Sequence, residues 1–214
     1  MTSLYLVRHG ETDWNLDRRI QGSTDIPLND TGRAQAARTG RLLASRRWDA
    51  IVSSPLSRAL ETASIIAREV GVDAVTTLDA IVERAYGAAE GLADHELSRL
   101  FPGDTPVPGR ETREQVAGRV IPALVALAEG HPGGNIVVTT HGGVIRTLLN
   151  SVAPDESRHR GIPITNGSVH SFRHTDGGLE LVAFDDPIDE ESVADDTEDF
   201  VDQNAVERRE ISGV

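Results

Sequence analysis

An apolar, strand-forming run ends twice in this chain on a histidine followed by a glycine. Leu4-Tyr5-Leu6-Val7 leads into Arg8-His9-Gly10, and Ile136-Val137-Val138-Thr139-Thr140 leads into His141-Gly142-Gly143. Short runs of this kind read as buried strands. Ligands of open α/β sheets bind beyond the carboxyl ends of the strands, so both imidazoles are expected on one rim of one sheet. Glycine lets a backbone approach closely, and arginine presents a planar fork of donors matched to phosphate oxygens. Histidine can act as nucleophile, base or metal ligand. A lone histidine is more often a hydrogen-bonded structural residue. Two strand-His-Gly units, one with an adjacent arginine, point to a site instead.

The 214 residues suffice for one α/β domain with a well-buried core. Cysteine is absent, which removes disulfides and thiol chemistry. All 21 Lys/Arg positions are arginine, which excludes Schiff-base and P-loop chemistry because both use lysine. The net charge is −13, and residues 185–214 hold 12 Asp/Glu and two Arg, a net of −10, leaving −3 for the rest. No basic stripe is present, so a nucleic-acid partner is not expected. Any phosphate site must be a local arginine pocket in an acidic protein. No apolar run approaches the ~20 residues of a membrane span, and the N-terminus lacks a basic region followed by an apolar segment. The reading is a soluble, cytoplasmic protein with no membrane partner.

Along the chain, Asp13 to Gly22 reads as a polar loop. Asn29 caps a helix running to about Arg46, with Ala34, Ala37 and Gly40 as a small packing face. Trp48 to Val52 is a strand. Ser54 caps the next helix with Pro55 at its first position, and Ala59, Leu60, Ala63, Ile66, Ala67 and Val70 mark its buried stripe. Val72 to Leu78 is a strand, Ala93 to Leu100 a short helix, and Phe101 to Gly109 a loop. Glu111 to Glu129 is helical, with Pro122 predicting a bend near residue 118 or a split into two helices. A helix from Gly143 to Val152 follows the second histidine strand. Ser168 to His174 and Leu179 to Phe184 form a hairpin. The tail from Asp185 reads as a solubilising acidic segment, although Val193, Phe200, Val201, Val206 and Ile211 would let part of it pack.

Leu-Val-Arg-His-Gly-Glu-Thr, with Asn15 and Gln21-Gly22 behind it, resembles the signature of the histidine phosphatase superfamily, in the branch that includes cofactor-dependent phosphoglycerate mutase and related phosphatases. The resemblance runs from about Leu4 to about Phe184. Ser53 to Ala59 resembles the segment that donates the family's second phosphate-gripping arginine, here Arg58. Ile81 to Gly91 resembles the segment that carries the general acid, here Glu83. The resemblance implies a three-layer α/β/α fold with a mainly parallel sheet, spanning residues 1–184, with a small cap at about 84–110 and the tail at 185–214.

It also implies roles. His9 attacks phosphorus through one ring nitrogen while the other donates to a backbone carbonyl, and the product is a phosphohistidine. Arg8, Arg58 and His141 grip the phosphoryl oxygens, with Asn15, Gln21 and the backbone near Gly10 and Gly142 completing the cradle. Glu83 protonates the leaving alkoxide and later takes a proton from water. That requires a raised pKa and predicts an acid-to-neutral optimum. The arginines supply the charge, so no metal or other cofactor is expected; His170 and His174 share a strand face but are read as structural.

The phosphohistidine can pass to water or to a second hydroxyl. Mutases of the family carry a long basic insertion after the acid glutamate, whereas 58 residues (141 − 83) separate Glu83 from His141 here, without lysine. Gln21 is also more typical of the phosphatases. Against this, Arg84 and Tyr86 match mutase positions that touch phosphoglycerate. The reading is therefore a phosphomonoester hydrolase for a small phosphorylated metabolite, a sugar phosphate or phosphoglycerate-like molecule. The alternatives are a mutase primed by 2,3-bisphosphoglycerate and a non-catalytic phospho-ligand binding protein. A monomer or homodimer is expected.

Overall fold

A computed structural model describes residues 1–154, 159–176 and 178–188. The elements in chain order are β1 (Thr2–Arg8), α1 (Asp13–Leu16), α2 (Asp30–Leu43), β2 (Ala50–Ser53), α3 (Ser57–Val70), β3 (Val75–Thr77), α4 (Asp94–Leu100), α5 (Arg113–Glu129), β4 (Asn135–Thr140), α6 (Gly142–Val152), β5 (Val169–Thr175) and β6 (Gly178–Ala183). The six strands form one sheet in the order β3-β2-β4-β1-β5-β6. Strands β3, β2, β4 and β1 run parallel, and the β5-β6 hairpin adds antiparallel strands beside β1.

Side chains alternate across the sheet, and both faces are covered. Leu4, Leu6, Ile136, Val138 and Phe172 pack with Val116, Val120 and Leu124 of α5 and Val144, Ile145 and Leu148 of α6. Tyr5, Val7, Val137 and Val169 pack with Leu43 of α2 and Ala63, Ile66 and Ala67 of α3. This is the expected α/β/α sandwich, and it explains why β1 and β4 are apolar at consecutive positions rather than alternating.

Several local expectations change. The segment after His9 is not all loop: Thr12 caps the one-turn helix α1 and forms a reciprocal capping box with Asn15. In α2 the buried small residues are Gly32, Ala36, Thr39 and Gly40, whereas Ala34 is exposed. Contact with the strand tip sets that phase. A Cβ on Gly10 would stand 2.2 Å from the Gly32 carbonyl oxygen, and one on Gly32 would stand 2.1 Å from that of Glu11. Gly10 thus serves a close approach between two backbones.

Helix α3 starts at Ser57 without a side-chain cap from its own N-cap residue. Asp25 does the capping from a neighbouring loop, accepting from the Ser57 N–H at 2.8 Å and from its hydroxyl at 2.7 Å. Ser54, expected as the cap, directs its hydroxyl to His141 instead. Helix α5 does not divide. It runs uninterrupted through Pro122, because Val116, Val120, Leu124 and Ala128 anchor it in the core on both sides of the missing hydrogen bond.

Residues 84–110, expected as a cap, contain a 3-10 turn at Gly87–Ala89 and helix α4. Their own small cluster joins Tyr86, Ala89, Leu97 and Val107 to Ile20. At the other end the body continues past residue 184: Ile188 is 5% exposed, and its carbonyl accepts from Arg46 Nη2 at 2.8 Å. The tail positions Val193, Phe200, Val201, Val206 and Ile211 lie outside the described residues.

Candidate active site

Strand register builds the site. Arg8 pairs with Thr140 and Ser53 with Thr139, so the residues that follow, His9, His141 and Ser54, leave the sheet together at one rim. The rings of His9 and His141 stand with centroids 5.2 Å apart. Helix α3 begins just beyond Ser54, and its second residue, Arg58, is fully buried at the same rim.

His9 is 2% exposed. Its Nδ1 lies 2.6 Å from the Gly10 carbonyl oxygen. Only an N–H can meet a carbonyl, so Nδ1 donates and Nε2 keeps its lone pair. Burial, then the charges of Arg58 and Arg8, hold His9 well below the usual histidine range, so the ring is neutral. His141 is depressed in the same direction by burial and Arg58. Its Nε2 meets the Ser54 hydroxyl at 2.8 Å, and its buried Nδ1 has no partner among the described residues.

The two arginines are anchored by their terminal nitrogens. Arg8 Nη1 donates to the Ile164 carbonyl. Arg58 donates through Nη1 to the Thr24 carbonyl at 2.9 Å and through Nη2 to that of Gly22 at 2.7 Å. Both Nε groups are buried without an acceptor among the described residues. Burial lowers Arg8 to about 10 and lowers Arg58 as well, yet both remain cations at neutral pH.

Two amides face the same cleft. The Asn15 oxygen accepts from the Thr12 N–H at 3.1 Å, and the Gln21 oxygen accepts from the Thr12 hydroxyl at 2.9 Å. With their oxygens held back by Thr12, their NH2 groups are the donors left for a ligand. Glu83 accepts from the Arg84 N–H at 2.8 Å and the Gly143 N–H at 3.2 Å. Those two bonds fix the carboxyl group at the cleft wall.

One cleft is lined by Arg8, His9, Asn15, Gln21, Arg58, Glu83 and Gly142, together with Arg19, Gly22 and Gly143. His141 stands behind it, against His9. Arg84 and Tyr86 do not line it. Arg84 is buried, donates through Nε to the Glu111 carbonyl at 2.7 Å, and lies over the Tyr86 ring at 5.5 Å. Tyr86 belongs to the cap cluster. Its hydroxyl lies beside Gly143, 2.9 Å from where a Cβ on that residue would stand.

Four contributors escaped the sequence reading. Ser54 was visible only as a helix cap. Asn166, in the turn before β5, donates to the His9 carbonyl at 2.9 Å. Gly143 packs so closely that a Cβ there would stand 2.7 Å from Glu83 Oε1; the Gly-Gly pair after His141 was its signal. Arg19 reaches the rim from α1's exit and donates to the Gly91 carbonyl at 2.6 Å. Away from the site, His170 bonds Ser168 and accepts from the Asp185 N–H, and burial pulls it down to about 3.

Chemically, three buried N–H groups without acceptors (Arg8 Nε, Arg58 Nε and, in the matching tautomer, His141 Nδ1) surround a neutral imidazole with a free Nε2. Buried unpaired donors are costly unless an acceptor arrives. A tri-oxo anion next to a nucleophile satisfies all three.

Comparison with known proteins agrees in kind. Residues 4–187 match the family model of the histidine phosphatase superfamily, branch 1. An uncharacterized phosphatase, PhoE, of Bacillus subtilis (strain 168) is 37% identical over 172 residues, covering 80% of this chain and 88% of its own. Phosphoglycerate mutase-like protein 4 of Arabidopsis thaliana is 40% identical over 186 residues, covering 81% and 80%. Among solved structures, a phosphoserine phosphatase from Entamoeba histolytica in complex with 3-phosphoglyceric acid superimposes with a TM-score of 0.74. It is 28% identical, over 90% of this chain and 100% of that one.

Proposed function

The chain belongs to the histidine phosphatase superfamily, branch 1, and from that premise we propose that it hydrolyses phosphomonoesters of small metabolites through a phosphohistidine on His9. The observation that carries this reading is the His9 tautomer: Nδ1 is committed to the Gly10 carbonyl at 2.6 Å, so Nε2 holds the attacking lone pair. In the first step Nε2 bonds to phosphorus as the ester P–O bond breaks, and the leaving oxygen takes the proton of Glu83. In the second, water gives its proton to Glu83 and bonds to phosphorus as the P–N bond breaks, which restores neutral His9 and releases phosphate. Arg8 and Arg58 supply positive charge to the non-bridging oxygens throughout, and neutral His141 a hydrogen-bond donor. With charge supplied this way, the reaction is expected to need no metal.

The mutase reading rested on Arg84 and Tyr86. Neither residue lines the cleft, and with no long basic insertion between Glu83 and His141 hydrolysis is preferred.

The test measures phosphate release from p-nitrophenyl phosphate, phosphoserine, 3-phosphoglycerate and sugar phosphates, with chelator present, for the wild type and His9→Ala. Isomerisation of 3-phosphoglycerate is followed with and without 2,3-bisphosphoglycerate. Loss of release in His9→Ala, with an acid-labile phosphoryl group trapped on the wild type alone, is the expected result. Fast isomerisation dependent on bisphosphoglycerate would make the protein a mutase. No turnover and no labelling would leave a binding role.

A further inference from the structure

Glu83 sits in irregular backbone between the 3-10 turn at Asp79–Ile81 and the cap. No strand lies beside it to satisfy its peptide groups, and an acid that must meet a leaving oxygen needs a fixed position. One ion pair takes the place of the strand. Arg119 of α5 donates through Nη1 to the carbonyls of Ala80 (2.6 Å) and Val82 (2.9 Å) and through Nη2 to that of Glu83 itself (3.3 Å). Its Nε and Nη2 also bind the two carboxylate oxygens of Glu111 at 2.7 and 2.9 Å. Glu111 in turn accepts from the Ala85 N–H at 3.2 Å, and its backbone N–H donates to the Ala85 carbonyl at 2.8 Å. The pair therefore holds the segment on both sides of Glu83.

The pair is partly buried, with side chains 24% and 18% exposed. Burial pushes the Glu111 carboxyl up, but the Arg119 fork and the Ala85 N–H outweigh it, so Glu111 lies below the usual carboxylate range and is charged whenever the enzyme works. A planar fork that spends every arm on one segment is a use lysine cannot copy.

We propose that Arg119 and Glu111 are positioning residues for the general acid, a clamp that sets where the Glu83 carboxyl stands relative to the leaving oxygen. This rests on the reading of Glu83 as the acid. The clamp touches neither His9 nor the phosphate-gripping arginines, so its loss should affect proton delivery and spare nucleophilic attack.

Leaving-group dependence separates the two. p-Nitrophenolate departs without protonation, whereas the alkoxide of phosphoserine or glycerol phosphate must be protonated. The experiment measures kcat/KM, which reports the phosphorylation step, on p-nitrophenyl phosphate and on the alkyl phosphate that the wild type uses best. The variants are Glu83→Gln, Arg119→Lys and Glu111→Gln, the last as the milder change should Arg119→Lys fold poorly; thermal melts accompany each. The expected result is a selective loss of roughly 10- to 100-fold on the alkyl substrate for all three, with the aryl substrate retained within about threefold. Selective loss in Glu83→Gln with equal losses on both substrates in both clamp variants would overturn the clamp alone. Equal losses in Glu83→Gln would remove the acid and the clamp's role together.

Discussion

Which nitrogen of a histidine carries the proton decides what that histidine can do, and here one backbone carbonyl and one side-chain hydroxyl bear on it. For His9 the Gly10 carbonyl takes the Nδ1 proton and leaves Nε2 to attack. For His141 the partner is Ser54, at 2.8 Å from Nε2. A hydroxyl can donate or accept; donation to Nε2 leaves the proton on Nδ1, the buried nitrogen without a partner and the one available to a phosphoryl oxygen. Ser54→Ala frees the ring to place its proton on Nε2 and turn a lone pair toward the anion. The expected loss is about 1–3 kcal/mol of transition-state stabilisation, roughly 5- to 150-fold in kcat/KM, equal on aryl and alkyl substrates. Steady-state kinetics on the same two substrates check it, and a change under twofold on both would refute it. The histidines and Arg8 were legible because they end recognisable strands. Ser54 was not, since its partner lies 87 residues away and the local sequence favours a helix cap.

At the scale of the element, α5 shows how tertiary packing overrides propensity. An interior proline costs ~3 kcal/mol in an isolated helix, but the buried stripe from Val116 to Ala128 holds α5 as one piece. The helix also carries an exposed Gly118, where a Cβ would meet nothing within 4 Å. Gly118→Ala should therefore stabilise the fold by about 0.5–1 kcal/mol, a rise of about 1–4 °C in Tm. Calorimetry with unchanged kcat/KM checks this, and an unchanged or lower Tm would show that the glycine relieves strain from Pro122. The same continuity matters for chemistry, because α5 carries Arg119 to the segment around Glu83.

For the whole molecule, the consequence of burying so many titratable groups is acid sensitivity. His9, His141 and His170 all have folded-state values below the ordinary histidine range, each through burial first. Between the folded and unfolded values the unfolded chain binds a proton that the folded chain does not, so stability falls as pH falls. For His170 that window runs from 6.5 down to about 3, and each histidine contributes roughly 1.4 kcal/mol per pH unit within its window. Glu90 acts in the same direction. Burial raises it, but hydrogen bonds from Thr24, Ser23 and Tyr86 outweigh burial and lower it, so its contribution is present above its unfolded value and lost as pH drops through the folded one. The unfolding free energy in urea should be nearly flat above pH 7 and should fall below about pH 6. A free energy constant between pH 7 and pH 5 would contradict the neutral-histidine picture. Activity need not follow the same curve, since His9 stays neutral as a nucleophile well into the acid range.

The sequence by itself determined the two strands that end in His-Gly and the sandwich around them, because strand periodicity and those endings are local properties of the chain, whereas Arg58, Asn15, Gln21 and Glu83 were legible only through the family resemblance. Only the tertiary structure decided that Gly10 serves a contact with Gly32, that Arg84 and Tyr86 are buried without lining the cleft, and that Ser54 bonds His141, Asn166 the His9 carbonyl, and Arg119 and Glu111 the segment around Glu83. These are hydrogen bonds and close approaches between distant segments, and a backbone carbonyl that accepts one looks the same in the sequence as a carbonyl that does not.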